Sequence, residues 1–315
     1  MMIYSFDWSG AEGHAARRRN IACYGGNPHQ APVLVPAPDS PPGAYWNWNR
    51  LLVLGFLQNL AHQATDAGAI LVGFDFAFSF PLLAPDNHFH DGTGNREALW
   101  ENVWTGTWGP HGNHTAQGYV AAHGGFFQGG ADYAPHLRLT EQVAHDQGAN
   151  AQSVYYRGQG QVGKGSLCGI SILHLLTRYC VLNNLPLCIW PFFHRDENGH
   201  QETNLFDGGW QPPKKCLTIV ETYPRFHRIQ AGVNGIAWNA PDVMPAVANF
   251  FQGALPQIPP ANEDRFDSLV AWYALSGHAA INGTPLGWNR LAAPTQGLVE
   301  ANPGVVENEG WIFGV

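Results

Sequence analysis

The sequence predicts an α/β protein with a mixed central sheet, in which the first three strands are antiparallel, later strands are parallel and helices flank the sheet. Two observations lead to this fold class. The runs 69–74 (AILVGF) and 217–220 (LTIV) are apolar throughout, as in parallel strands that are covered on both faces. Between them, longer segments place apolar residues at every third or fourth position, as helices do. Alternation of such strands and helices is typical of parallel crossover connections.

The N-terminal elements come in the order strand, strand, strand, helix, strand. Residues 2–8 form the first strand, and two weaker strand candidates lie at 19–24 and 31–36. Their short, polar, glycine-containing connections favour antiparallel hairpins. Leucines at three- and four-residue spacing then predict a helix within 45–67, followed by an apolar strand at 69–75.

Residues 82–152 lack this regularity and are rich in Gly, His, Trp and Asn. We interpret them as a loop-rich insertion, with one helix at 137–147, inside a single domain that spans 1–315. Loops of this length in compact domains are usually functional or partly disordered, and the many aromatic residues favour an ordered lid or wall.

Regular patterns return after the insertion. A glycine-rich stretch at 158–166 leads into a helix at 166–184, and strands follow at 187–192 and 217–222, separated by a polar, hairpin-like excursion. The final helix spans 263–280. The tail at 309–313 is expected to be a closing strand or a docked end.

Composition narrows the class of protein. The 315 residues are 45% hydrophobic, which is enough for a large core, and the formal net charge is −8. This charge argues against a general nucleic-acid coat protein and leaves no polybasic membrane anchor, so any phosphate has to be held locally. No basic leader starts the chain and no stretch looks long enough to span a bilayer, so we expect a cytoplasmic protein without a membrane partner. The sequence does not predict an oligomeric state.

Acidic residues recur where the apolar strands end and the last helix begins. Asp7, Asp75 and Glu221 stand at the ends of the first, the fourth and a later strand, while Asp264 and Asp267 share the first turn of the final helix. Neighbouring carboxylates repel each other unless they are protonated or bridged by a cation, and hard divalent ions prefer oxygen ligands. The pattern indicates a metal site. For each acid alone, a helix cap, a turn or a helix-dipole interaction remains the alternative.

The segment Gly158–Ser166 (GQGQVGKGS) begins like a phosphate-binding P-loop but has Gly165 where the magnesium-binding Ser or Thr would stand. Amides at the start of the following helix, with Lys164 beside them, are suited to holding an anion. A plain flexible turn is the alternative.

Histidine and cysteine patterns do not predict a zinc or nucleophile site. The pairs His88/His90 and His111/His114 lack a third ligand at a familiar spacing. The five cysteines form an odd set without a CxxC, and we expect them to be reduced and structural.

The chain resembles the uncharacterised domain family numbered 429, whose members are predicted nucleases of the RNase H-like superfamily. The resemblance spans nearly the whole chain in order and is carried by these segments: FDWSGA, VGFDFAFSFP, QVGKGSLCGISIL, IWPF, VETYPR, DRFDSLVAWYAL and EGWIF. It implies an RNase H-like fold in which Asp7 corresponds to the first-strand metal ligand. Asp264 and Asp267 resemble the aspartate pair on the last helix of the related Holliday-junction resolvases. One departure is Asp75, because those enzymes carry a glutamate on the fourth strand.

Together the residues and the resemblance lead us to expect a nuclease that cleaves DNA or RNA with one or two Mg²⁺ or Mn²⁺ ions. Asp7, Asp75 and Asp267 would hold the ions, and Glu221 or Asp264 would add a ligand or position water. The expected phosphate contacts are Gly163, Lys164, Ser166, Arg225 and Arg228. Two alternatives remain open: a nucleotide-binding phosphotransferase of the same fold, and a non-catalytic binding protein whose site has degenerated.

Overall fold

The computed structural model describes residues 1–8, 21–38, 40, 48–82, 95–108, 116–127, 137–156, 162–203, 205, 210–280, 300–301 and 304–315. The strands in these ranges are β1 (Met2–Asp7), β2 (Ala22–Gly26), β3 (Val33–Leu34), β4 (Ile70–Phe74), β5 (Leu187–Ile189), β6 (Phe193–Arg195), β7 (Gln201–Thr203) and β8 (Leu217–Glu221). The helices are α1 (Arg50–Ala67), α2 (Arg96–Trp108), α3 (Gln117–Ala122), α4 (Leu139–Asp146), α5 (Val162–Leu182), α6 (Pro224–Gln230), α7 (Val243–Phe250), α8 (Glu263–Ala280) and α9 (Val305–Glu309).

All eight of these strands form one mixed sheet in the order β3-β2-β1-β4-β8-β5-β6-β7. The first three strands are antiparallel, and β1, β4, β8 and β5 are parallel neighbours. An antiparallel hairpin, β6–β7, extends the far edge. The predicted α/β class, the antiparallel start and the parallel strands are confirmed. The insertion of β8 between β4 and β5 was not predicted, since strand order depends on contacts far apart in the chain.

The two faces of the sheet are covered by different helices. On one face, Phe6 of β1 and Phe74 of β4 pack into a core with α1, α2 and α5. On the other, Ile3 of β1 and Leu71 of β4 pack into a second core with α7, α8 and the C-terminal residues. Side chains alternate between faces along a strand, so the residue after Phe6 or Phe74 turns toward α8.

The insertion contains more helix than the sequence indicated. Besides α4, close to its predicted position, the described part holds α3 and the 13-residue α2. Thr105, Gly106 and Thr107 have weak helix propensity and obscured the pattern of α2. The helix is stabilised by packing on α5, where the hydroxyls of Thr107 and Ser171 lie 2.6 Å apart. The predicted loop-rich insertion therefore contains regular helices, and α2 forms a wall against α5.

Helix α5 begins at Val162, four residues before its predicted start. Its residues Gly163–Leu182 are long and apolar enough to cross a bilayer by length and composition, contrary to the expectation from the sequence. Most of this helix is buried within the protein, however, as is usual for a core helix, so the finding is weak evidence for a membrane.

The chain ends beside β8. Helix α8 spans 263–280 as predicted, and the tail after α9 meets β8 through an isolated bridge between Glu221 and Ile312. The Phe313 amide donates to the Glu221 carbonyl at 2.8 Å. The tail is thus a docked end. Helices α6 and α7, between β8 and α8, were not predicted.

Candidate metal centre at the carboxyl edge of the sheet

Asp7 and Asp75 lie side by side where the parallel strands β1 and β4 end. The Asp75 amide donates to the Phe6 carbonyl at 3.2 Å, which continues the register of the two strands by one step. Two residues before Asp7, the Ser5 hydroxyl donates to the Ser268 carbonyl of α8 at 2.6 Å. Since Ser5 and Asp7 share a face of the strand, the carboxylate of Asp7 is directed toward α8.

Helix α8 brings Asp264 and Asp267 to the same edge. Its position is fixed by a reciprocal pair of hydrogen bonds, because the Ser268 hydroxyl also donates to the Ser5 carbonyl at 2.9 Å. Asp267 stands one residue before this anchor, its side chain is 24% exposed, and its Oδ1 is buried without a hydrogen-bond partner. An orphaned carboxylate oxygen costs free energy, and it is available to a ligand.

The carboxyl groups perturb each other. Burial raises the pKa of Asp7 well above its ordinary value, and the charges of Asp75, Asp267 and Asp264 raise it further. The pKa of Asp75 is likewise raised, first by burial and then by Asp267 and Glu221. Burial raises the pKa of Asp267 to about 7 although Arg228 opposes the shift. The pKa of Asp264 is raised by burial and by Glu263. We call Asp7, Asp75, Asp264 and Asp267 the acidic cluster.

The acidic cluster has the donors that a hard divalent ion prefers, since every ligand would be a carboxylate oxygen. Within the described ranges, no three His, Cys, Asp or Glu side chains converge closely enough to bind one ion as they stand. Like charges keep such groups apart when no cation is present. The residues fit Mg²⁺ or Mn²⁺ by chemistry, and the Oδ1 of Asp267 accepts no hydrogen bond that an ion would have to displace. The side chains have to turn toward each other to share an ion.

Glu221 is the last residue of β8 at this edge, but its carboxylate is bound by an arginine and not directed toward the acidic cluster. It lies in register with Phe74, so its side chain leaves the sheet on the face opposite to Asp75. The Arg138 guanidinium binds both of its oxygens, with Nη1 at 2.8 Å from Oε2 and Nη2 against Oε1, and the Phe78 amide donates to Oε2 at 3.0 Å. We therefore leave Glu221 out of the ligand set, although it raises the pKa of Asp75.

Arg138 was missed by sequence reasoning. It is buried beside Glu141, whose Oε1 accepts from its Nε at 2.9 Å, and its Nη1 donates to the Glu309 carbonyl at 3.1 Å. This network joins the insertion, β8 and the C-terminal helix α9. Glu221 and Glu309 are 83 and 171 residues away from Arg138 in the sequence, so no local pattern could have indicated these two contacts.

The described part of the glycine-rich segment, residues 162–166, forms the start of helix α5. The segment's residues before Val162 lie outside the described ranges, and Gly163, Lys164 and Ser166 belong to the first turns of α5. The Ser166 hydroxyl accepts from the Ala77 amide at 3.0 Å and is fully buried, so its predicted role in phosphate binding is not supported. Gly163 is required by packing, because a Cβ there would lie 2.2 Å from the Val154 carbonyl oxygen.

Two arginines of α6 flank the acidic cluster. Arg228 places Nη1 at 3.9 Å from Asp267 Oδ1 and 3.8 Å from Glu263, too far for hydrogen bonds, and its Nη2 donates to the Ile236 carbonyl at 2.8 Å. Arg225 is exposed and close enough to lower the pKa of Asp267. Both arginines therefore lie beside the predicted site, and Arg228 is already a counter-ion of Asp267.

The histidine pairs His88/His90 and His111/His114 lie outside the described residues. The five cysteines are all buried and none forms a disulfide, as expected. No family model, curated protein or solved structure matches this chain. Membership of the family numbered 429 and of the RNase H-like superfamily thus stays a prediction from the motifs.

Proposed function

We propose that this protein is a metal-dependent nuclease of RNase H-like fold that hydrolyses phosphodiester bonds in DNA or RNA. The observation that carries the proposal is the acidic cluster: four carboxyl groups from β1, the end of β4 and α8 with pKa values raised by burial and by their acidic neighbours. Perturbed titratable groups that converge at one edge of a sheet are typical of functional sites.

The topology supports the same proposal. Three antiparallel strands precede the parallel ones, and acids stand at the end of the first strand, after the fourth strand and on the last long helix. This is the order that the resemblance implies. Asp75 remains an aspartate where the resolvases have a glutamate, and the later acid Glu221 is occupied by Arg138.

Asp7, Asp75 and Asp267 would hold one or two Mg²⁺ or Mn²⁺ ions, and Asp264 would complete the set or orient a water molecule. A bound ion would supply the activation of that water and the stabilisation of the leaving oxygen. The protein's own groups provide the remaining elements: Asp267 offers its Oδ1, which accepts no hydrogen bond, and Arg225 presents a cation at the rim.

Local cations are needed because the net charge of −8 repels a polyanion at long range. Arg225 and Arg228 lie on the α8 side of the acidic cluster. Lys164 lies in the first turn of α5. The next two residues, Gly165 and Ser166, accept hydrogen bonds from Trp8 Nε1 and from the Ala77 amide, in the segments that follow Asp7 and Asp75. The two arginines therefore place positive charge beside the carboxylates on the α8 side, as a phosphodiester that approaches a metal site requires.

A thermal-shift titration and a cleavage assay test the proposal together. Mn²⁺ or Mg²⁺ alone should stabilise the protein and support cleavage of single-stranded or duplex DNA or RNA, and Asp7→Asn should abolish both effects. The matched control is Asp242→Asn, since Asp242 is exposed and its side chain makes no capping bond.

The outcomes separate the alternatives. Stabilisation only by metal with nucleotide would favour the phosphotransferase, and no stabilisation under any condition would favour a non-catalytic protein. Metal-dependent cleavage that survives both Asp7→Asn and Asp267→Asn would refute the assignment of the site.

A further inference from the structure

A cleft of about 390 Å³ opens between the insertion and helix α5. Its described walls are Gln117, Val120 and Ala121 of α3 and Lys164 of α5. Gln117 and Ala121 are exposed, whereas Val120 is buried. These described walls therefore contribute an ammonium group, a carboxamide and a small apolar surface.

The start of α5, which carries Lys164, lies at the same edge of the sheet as the acidic cluster, but on the face that α8 does not cover. The residue after Lys164, Gly165, accepts a hydrogen bond at its carbonyl from Trp8 Nε1 at 3.0 Å, and Trp8 directly follows Asp7. The next residue, Ser166, accepts from the Ala77 amide, two residues beyond Asp75. Two buried hydrogen bonds thus tie the turn that carries Lys164 to the segments that carry the carboxylates.

The walls of the cleft are held by close packing. Gly106 of α2 lies against the ring of Tyr119 in α3, where an added Cβ would be 2.6 Å from Cδ2. Helix α2 in turn packs on α5 through the Thr107–Ser171 contact. A preformed cleft loses less ordering entropy when it binds a ligand.

The lining and the volume suit one nucleotide. An ammonium group attracts a phosphate, a carboxamide can pair with the edge of a base, and Val120 with Ala121 can cover its apolar face. The volume lies near the lower end of small-molecule sites, about 300–1,000 Å³, which favours one unpaired nucleotide over a base pair.

We infer that this cleft binds one unpaired nucleotide of the strand whose phosphodiester reaches the acidic cluster, so that the substrate is a single strand or an unpaired end. This inference rests on the proposed function. Proteins that read single strands combine cationic and apolar contacts to individual nucleotides in this way. Lys164 takes the phosphate of the bound nucleotide, and Gln117 contacts the edge of its base.

The test measures the anisotropy of a fluorescein-labelled short oligothymidylate, with and without an annealed oligoadenylate, in Ca²⁺ buffer. Lys164→Met should weaken binding of the single strand about five- to tenfold and reduce the salt slope by about 1, as expected for one lost phosphate contact. Ala121→Trp, which fills the cleft without a change of charge, should weaken it similarly. Lys164→Arg should restore most of the affinity.

Lys214→Met is the matched control, because Lys214 is exposed and precedes the amino end of β8, at the edge of the sheet opposite to the acidic cluster. Single-strand affinities of Lys164→Met and Ala121→Trp within about twofold of the wild type would overturn the cleft assignment. A preference for the duplex would overturn the substrate class. If either of these outcomes occurred but Asp7→Asn still abolished cleavage, the proposal of a nuclease would stand. The two proposals therefore fail separately.

Discussion

Replacing Asp267 by Asn should stabilise the protein at pH 8 when no metal is present. The folded-state pKa of Asp267 is about 7 and its ordinary value is 3.8. A raised pKa means that the folded protein holds the proton more tightly than the unfolded chain, so stability is lost as the pH rises from about 3.8 to 7. Asn has nearly the same shape and no charge, and it removes this loss.

The magnitude follows from the gap between the two pKa values. At 1.36 kcal/mol for each pH unit, the gap corresponds to a ceiling of about 4 kcal/mol. The side chain is 24% exposed and Arg228 loses part of its counter-charge, so we expect a gain of about 1–3 kcal/mol in the free energy of unfolding.

The assay is urea unfolding in EDTA, followed by tryptophan fluorescence, at pH 8 and again near pH 4, where the difference between variant and wild type should shrink toward zero. The same variant should lose the stabilisation by Mn²⁺ that the wild type shows, about 2.7 kcal/mol at 100 times the dissociation constant. Asp242→Asn serves as the control. Destabilisation of Asp267→Asn at pH 8 by more than about 1 kcal/mol would show that the charge is a net stabilising partner of Arg228, and the reasoning from repulsion would be wrong.

Three other substitutions probe the scaffold by urea unfolding. Burial lowers the pKa of His278 to about 3, so the unfolded chain takes up the proton first and the free energy of unfolding falls as the pH drops below 6.5. Between pH 7 and 5, the free energy of unfolding of His278→Phe should therefore fall by about 2 kcal/mol less than that of the wild type. Equal decreases in the two proteins would contradict this. Glu221→Gln should cost about 3 kcal/mol because it leaves the Arg138 guanidinium partly unpaired in the interior; a cost below about 1 kcal/mol would show that the ion pair is dispensable. Gly163→Ala should cost more than about 2 kcal/mol through its backbone clash, whereas the control Gly55→Ala, whose Cβ meets nothing within 4 Å, should be stabilising by about 0.5–1 kcal/mol. Similar effects in the two glycine variants would argue against the clash.

Elements with strong local patterns were predicted well. Helix α8 begins and ends where its acidic first turn and apolar spacing placed it, and β4 lies within one residue of its predicted limits. Helix α2 was missed because Gly106 and the threonines beside it weaken its local signal, and packing on α5 decides its conformation.

The candidate site also contains residues that local patterns predicted and contacts that only packing decides. Asp7, Asp75 and Asp267 were identified from their places at element ends, and these places are local properties of the chain. Glu221 had an equivalent place by sequence, yet one step of register turns its side chain to the other face, where Arg138 binds it. Such a partner, 83 residues away, cannot be read from a local pattern.

The sequence by itself determined the α/β class, the antiparallel start of the sheet and the acids at its edge, because hydrophobic periodicity and chain order are local information. Only the tertiary structure decided that β8 lies between β4 and β5, that Arg138 binds Glu221, and that α3 and α5 line an open cleft near the sheet edge where the acidic cluster lies. These features depend on which distant segments pack together. Long-range packing is set by the whole core, and no single segment carries it.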